Sequence, residues 1–118
     1  MPKPISKITK RAPRRNSAAS SLPYEPWLIE RLKAPAEAAA YLEGVLEEGD
    51  QAAIMLALRQ VAQAQGGVAR IARKAHLTRE ATYKMLSKSG NPELRSLKAV
   101  LAATGLRIAV KPIEKRTA

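Results

Sequence analysis

The side chains best suited to chemistry lie between residues 66 and 88, where polar and basic residues surround a short apolar seam. This spacing predicts two short helices, over 68–75 and 78–87, with Leu77 in the turn between them. Thr78 is a favoured N-cap for the second helix. The side chains expected to make outward contacts are Arg70, Thr78, Arg79, Glu80, Tyr83, Lys84, Ser87 and Lys88. A basic, hydrogen-bonding face on a second helix is what a helix laid in a DNA major groove requires.

Different members of this set suit different parts of a DNA duplex. Arg79 is the candidate for reading guanine, because a guanidinium can donate two hydrogen bonds to its O6 and N7 atoms. The other candidates for base edges are Thr78, Glu80, Tyr83 and Lys84. The candidates for phosphate contacts are Arg70, Ser87, Lys88 and the backbone amides near Gly67. The alternative for Arg79 is an ion pair with Glu80 or a position on a solvated face.

The residue inventory argues against catalysis. The chain has one His, no Cys and a single Asp, and His76 falls in the predicted turn. No acid–base pair and no nucleophile–base arrangement can be assembled from these residues. Gly66-Gly67 lacks the spacing and the lysine of a phosphate-binding loop. We therefore expect neither an enzyme nor a protein that holds a metal or a cofactor.

Composition points to one small all-α domain with tails. Phe is absent and only four aromatic residues occur among 118, so the core must consist of Leu, Ile, Val, Ala and Met. Because no run of about 18 apolar residues exists, no membrane span is expected. The absence of Cys fits a reducing compartment, and we expect a cytoplasmic protein.

The net charge of +11 is unevenly distributed along the chain. Residues 1–20 hold six bases and no acids, residues 21–50 two bases and seven acids, and residues 51–118 thirteen bases and three acids. The two basic parts suggest a nucleic-acid partner. The acidic segment suggests a different, basic partner, although its acids could also simply solvate a helix face.

The first 22 residues combine three prolines with Lys, Arg and Ser, and they show no sustained periodicity. We expect a disordered basic arm. Such an arm could follow DNA phosphates or enter a minor groove. A solubilising tail is the alternative, and the prolines argue against an organellar transit peptide.

Residues 23–49 form an acidic lead-in followed by a helix. Pro26 is placed to open a short helix, and the side chains that could anchor a protein partner are Tyr24, Trp27, Leu28 and Leu32. Alternatively, this segment folds back onto the domain as a lid. After a break at Pro35, a helix is expected to about Glu48, with Gly49 ending it.

The domain from 50 to 105 is expected to hold two further helices besides the helix pair. Asp50 caps a helix over about 51–65, and Gly66-Gly67 end it, one of them with a positive φ. Asn91 is expected to cap, and Pro92 to open, a last helix to about Thr104. Its inward side chains would be Leu94, Leu97, Val100 and Leu101.

Residues 106–111 alternate as a strand does, with Leu106, Ile108 and Val110 on one face. A single strand leaves its backbone groups without partners. We therefore predict a homodimer in which this strand pairs with its copy, the alternative being addition to a partner's sheet.

The run from Tyr41 to Ile108 resembles the probable addiction-module antidote proteins, which are antitoxins with a helix-turn-helix of the Xre/Cro–CI type (HigA-like). The motifs that carry the resemblance are YL-x₄-LEEGD, LTRE-x-x-YK-x-L, GNP and LKAVLAATGLRI. The resemblance covers about residues 21–112. It implies a five-helix Xre/Cro–CI-like fold, here extended by the C-terminal strand.

The resemblance also implies a small basic toxin of the RelE/HigB type as partner, and repression of the toxin–antitoxin operon through its promoter. Two residues depart from the family pattern. His76 stands where this turn commonly has Gly, and Thr82 stands where the second helix usually has an aliphatic residue. The competing interpretation is a free-standing, phage-repressor-like transcriptional regulator without a toxin.

Overall fold

The protein is a bundle of six helices in the part that the structure describes. The computed structural model describes residues 24–114. The helices are α1 Pro26–Arg31, α2 Pro35–Glu48, α3 Gln51–Ala64, α4 Val68–Lys74, α5 Arg79–Met85 and α6 Leu94–Ala103. The all-α prediction is confirmed; the resemblance implied five helices, and the short helix expected to open at Pro26 brings the number to six.

Most helix starts follow from local chemistry. Pro26 and Pro35 occupy the first turns of α1 and α2, where the missing N–H costs nothing. The Asp50 carboxylate accepts a 2.9 Å hydrogen bond from the amide of Ala53. The Thr78 hydroxyl oxygen accepts a 3.0 Å bond from the amide of Ala81. The predicted N-caps Asp50 and Thr78 are therefore confirmed, and α2 has the predicted bounds.

One core joins the acidic lead-in to the later helices. The buried residues of this core are Leu32, Ala38, Leu42, Met55, Ala57, Leu58, Val61, Ala64 and Leu86. A second buried cluster joins α3, α4 and α6 through Ala62, Val68, Ile71 and Val100. The Gln65 side-chain amide donates to the carbonyl oxygens of Leu32 and Lys33, at 3.3 and 3.1 Å, and so fastens the end of α1 to the end of α3.

The predicted start of the last helix is wrong. Helix α6 begins at Leu94, with Glu93 as N-cap, so neither Asn91 nor Pro92 caps or opens it. Leu94, expected to face inward, is 65% exposed because it stands at the first position of the helix. Val100 is buried and Leu97 and Leu101 pack against the core, as expected.

The C-terminal segment forms no strand in the described single chain. Leu106 packs against the core, whereas Ile108 is half exposed and Val110 is 92% exposed. The expected strand is therefore not found here, because every other element among residues 24–114 is a helix and offers no strand edge for backbone pairing. The Nζ atom of Lys111 lies 3.7 Å from an Oε2 atom of Glu43, which brings the segment beside α2.

Two further expectations concern the basic N-terminal arm and membrane-spanning segments. The basic arm over 1–22 lies outside the described residues. Within 24–114, every helix is too short or too polar to cross a bilayer.

Candidate nucleic-acid interface

The helix pair begins at two glycines with left-handed backbone. Gly66 and Gly67 have φ values of 111° and 103°, so both, rather than one, adopt a conformation that L side chains rarely take. A Cβ atom added to Gly66 would lie 2.3 Å from the Cδ atom of Arg70. The Arg70 side chain therefore runs back over this turn.

The turn between α4 and α5 also needs an unusual backbone conformation. His76 has a φ of 61°, the only positive φ among the described non-glycine residues. The next amide, of Leu77, then donates a 2.9 Å bond to the carbonyl of Ala72. This closes the end of α4 in the manner of a left-handed C-terminal cap. His76 thus adopts, at the position where this turn commonly has Gly, the backbone conformation that glycine takes without strain.

Buried small side chains let α4 and α5 pack closely. Ile71 and Ala72 are buried on α4, and Thr82 on α5 is fully buried. The Thr82 hydroxyl donates a 2.8 Å bond to the carbonyl of Thr78, one turn earlier. Thr82 is thus the inner residue of α5, as predicted, and its hydroxyl is satisfied without another helix.

The opposite face of α5 carries the predicted base-contacting side chains, and all of them are exposed. They are Thr78, Arg79, Glu80, Tyr83 and Lys84. The Arg79 guanidinium carbon lies 5.8 Å from the centre of the Tyr83 ring. Among the described residues, Arg79 is in ion-pair distance of no acid, so the alternative pair with Glu80 is not formed. An aromatic ring instead supports the guanidinium.

The residues predicted to contact phosphates differ in how exposed and how free to bind they are. Arg70 and Lys88 are exposed, while Ser87 is half-buried. The Ser87 hydroxyl donates a 2.7 Å bond to the carbonyl of Lys84, so it must turn before it can donate to a phosphate. The amide of Gly67 already donates to the carbonyl of Ala62 at 2.9 Å. The Gly67 amide itself is therefore engaged within the chain, and the expected phosphate contacts of the other amides near it remain a prediction.

Two residues of α3 hold the end of α5, and neither was among the predicted site residues. The Arg59 guanidinium donates to the carbonyl of Leu86, and the Gln51 side-chain amide donates 2.8 Å to the carbonyl of Gly90. A Cβ atom at Gly90 would lie 2.0 Å from the carbonyl oxygen of Met85, so the loop passes directly over the helix end. Arg59 is the only charged residue in α3, and this single charge in an otherwise uncharged helix is the sequence signal that could have identified it.

A shallow groove lies next to this face. It has a volume of 550 Å³ and runs between the end of α5, the loop after it and the start of α6. Lys84, Ser87, Ser89, Asn91 and Ser96 contribute polar groups to its walls. The remaining lining includes Glu93 and the apolar residues Leu77, Ala81, Met85 and Pro92, so the exposed face of α5 continues into a depression of mixed polarity rather than ending at the helix.

The predicted partner-binding side chains on α1 are separated by the fold. Tyr24 and Trp27 are exposed, Trp27 by 60%, and Leu28 is half-buried against the core. Leu32 is only 1% exposed, so its assignment to a contact surface is wrong: it packs under Gln65 as a core residue. Helix α1 does fold back onto the domain, but the indole of Trp27 does not.

Titratable groups provide no second site. Burial raises the pKa of Tyr41, and the hydrogen bond to Gln60 counteracts this rise. The phenol is thus protonated at neutral pH and donates a 2.5 Å bond to the Gln60 side-chain oxygen. Within residues 24–114, no group of three or more His, Cys, Asp or Glu side chains is placed to hold a metal ion.

Comparison with known proteins gives one family. The model of the family described as "Probable addiction module antidote protein" matches residues 28–112. The chain is also 35% identical over 84 residues to an uncharacterized protein of Haemophilus influenzae, covering 71% of this chain and 86% of that protein. No solved structure matches. Since the matched residues run from α1 to the C-terminal segment, this chain belongs to the family of probable addiction module antidote proteins.

Proposed function

We propose that this protein is the antitoxin of a type II toxin–antitoxin module. It binds and neutralises a small basic toxin of the RelE/HigB type, and as a dimer it represses its own operon by binding operator DNA. The observation that carries the proposal is the exposed face of α5, found in a member of an antidote family. An antidote family implies a toxin as partner.

The DNA-binding half of the proposal uses α4 and α5 as a helix-turn-helix. Helix α5 enters the major groove, where Arg79, held over Tyr83, reads guanine. Arg70 and Lys88 lie at the ends of the exposed surface and bind phosphates. A dimer presents two such helices to successive major grooves, about 34 Å apart.

The toxin-binding half uses the acidic segment. Residues 21–50 carry two bases and seven acids, a balance that opposes DNA binding and favours a basic protein. Glu37, Glu43, Glu47 and Glu48 are all exposed on α2. Next to them, Tyr24 and Trp27 offer the aromatic surface that carries much of the energy in protein interfaces.

A free-standing transcriptional regulator is the second candidate, because the α5 face would serve it equally well. The acidic, Trp-bearing α1 and α2 favour the antitoxin. The two differ in one accessible respect: an antitoxin gene adjoins a reading frame for a basic protein of about a hundred residues.

The test is to express the full chain with the product of the adjoining reading frame. Co-purification in a fixed ratio, together with loss of the partner's toxicity in cells, is the expected result. Binding of the purified protein to the DNA upstream of its own gene is measured separately. If it binds that DNA but the adjoining frame encodes no protein that it binds, the free-standing regulator is the correct function.

A further inference from the structure

A groove runs along α2, bordered by α1 at one end and by Gly49 and the start of α3 at the other, and its shape and charge define what it can receive. It consists of two depressions of 330 and 570 Å³ that share Ala40 and Tyr41 as walls. The α2 side chains along it are Glu37, Ala40, Tyr41, Gly44, Val45 and Glu48, and we name this stripe the α2 slot. These positions recur at spacings of three and four, so they form one face of the helix.

The middle of the α2 slot is open because its residues are small. Gly44 is exposed, and a Cβ atom added there would have nothing within 4 Å. After proline, glycine is the residue least favourable to a helix interior. Packing among residues 24–114 does not explain Gly44, whereas the close approach of another backbone would.

The walls of the α2 slot are held in place from beneath. The phenol of Tyr41 is fixed by its hydrogen bond to Gln60, which is 3% exposed in the core. Trp27, 60% exposed, stands at the α1 end of the slot. The slot therefore offers a fixed aromatic wall near its middle and an exposed indole at its α1 end.

Acidic residues stand at both ends of the α2 slot. Glu37 and Glu48 are eleven residues apart, which corresponds to about 16 Å along a helix. Glu37 is within 3.2 Å of Arg31, but both side chains are largely exposed, so a partner's base can replace Arg31 there. Glu48 has no such neighbour among the ion pairs of the described residues.

We propose that the α2 slot receives an amphipathic helix of about three turns from the basic toxin. Its apolar side chains would lie over Gly44, and Lys or Arg side chains near its two ends would meet Glu37 and Glu48. A helix fits because the small residues of the slot permit close approach of a second helix. Grooves bind amphipathic helices through apolar side chains spaced three and four residues apart on the bound helix. This inference rests on the proposed antitoxin function and adds the place and the kind of contact.

The test measures the affinity of the purified full chain for the purified product of the adjoining reading frame by titration calorimetry. Gly44→Leu fills the slot, and Glu48→Lys reverses the charge at one end. We expect each to weaken binding by about tenfold or more, and the effect of Glu48→Lys to shrink at high salt. Glu114→Lys is the matched control, since it makes the same charge change at an exposed residue outside the slot and outside the acidic segment 21–50, and it should stay within about threefold of the wild type.

Gly44→Ala separates the effect of helix propensity from that of blocking, because its methyl group occupies little of the slot. Thermal unfolding checks that Gly44→Leu is folded, which is expected since the position is open. Wild-type-like affinity of both Gly44→Leu and Glu48→Lys would overturn the inference and leave the antitoxin function intact. The inference would also be overturned if these variants instead lowered the dimer's stability, since a second copy would then be the occupant. Failure of the wild type to bind the basic protein would overturn the toxin-binding function itself.

Discussion

The guanidinium of Arg59 donates a 2.5 Å hydrogen bond to the carbonyl oxygen of Leu86, and so joins the middle of α3 to the C-terminal end of α5. A cation is favourable at this end of a helix, where the last carbonyl groups lack intrahelical partners. The contact spans 27 residues of sequence and holds the helix that carries Arg79 and Tyr83.

Replacing Arg59 by Ala should lower the free energy of unfolding by about 1–3 kcal/mol, because a partly buried carbonyl loses its donor. Arg59→Lys should fall between Ala and the wild type, since it keeps a charge but not the planar donor geometry. Urea denaturation measures both. Arg73→Ala, which removes an exposed arginine from α4, is the control and should change stability by less than about 0.5 kcal/mol. Equal effects of Arg59→Ala and Arg73→Ala would show that the hydrogen bond does not stabilise the protein.

Thr82 tests whether a buried hydroxyl is needed inside α5. Its hydroxyl group donates to the carbonyl oxygen of Thr78, which also accepts from the amide of Thr82 at 3.0 Å. Thr82→Val keeps the buried shape and leaves that carbonyl paired, so unfolding free energy should change by less than about 0.5 kcal/mol or rise. Thr82→Ala removes a buried methyl group as well and should cost about 1–2 kcal/mol. A Val variant as unstable as the Ala variant would show that the hydroxyl is required.

His76 tests the backbone of the turn. At a φ of 61° a histidine is strained, whereas glycine is not. His76→Gly should therefore raise the free energy of unfolding by roughly 0.5–1 kcal/mol, measured by thermal and urea unfolding. The control is Lys74→Gly, in the last turn of α4, which should lower it by about 1 kcal/mol. If both substitutions lowered the free energy of unfolding, the His76 side chain would stabilise the fold by more than its strained backbone destabilises it.

Local chemistry made some elements predictable and left others open. Helix α2 has its predicted bounds because Pro35 marks one end and Gly49-Asp50 the other. The start of α6 was misplaced because Asn91-Pro92 resembles a helix start on its own. In the folded chain, contacts from α3 and α5 hold the preceding loop at Gly90, and the helix begins later, at Leu94.

The exposed face of α5 could be predicted from local spacing, whereas the partner-binding surface on α1 could not. The exposed positions of α5 follow from the spacing of Thr82 and Leu86, which are both buried, so the outer residues were identifiable. On α1, Leu28 and Leu32 share one face, and spacing could not tell an interface from a core. The hydrogen bonds of Gln65 to the end of α1 place Leu32 inside, and such a contact between residues 32 positions apart has no local indication.

Arg79→Ala should weaken binding to the DNA upstream of the gene by about 1–3 kcal/mol and relax preference at one base pair. The reason is the loss of a guanidinium that Tyr83 supports at the exposed face of α5. Fluorescence anisotropy with the upstream duplex and single-base variants measures both effects. Arg31→Ala on α1 removes the same charge away from α5 and should leave affinity and base preference nearly unchanged. If Arg79→Ala matched Arg31→Ala in both measurements, Arg79 would not be the base-reading residue.

The dimer predicted through residues 106–111 can be tested with two equally exposed side chains. Val110 and Ile113 are each 92% exposed, but only Val110 lies within the predicted strand. In a two-fold antiparallel pair, Val110→Asp would place two carboxylates at the strand interface and remove apolar surface from it. Both changes disfavour pairing. We expect light scattering to give the mass of one chain for Val110→Asp and of two for the wild type. Ile113→Asp should remain a dimer, and a dimer of unchanged stability after removal of every residue beyond Gly105 would place the interface elsewhere.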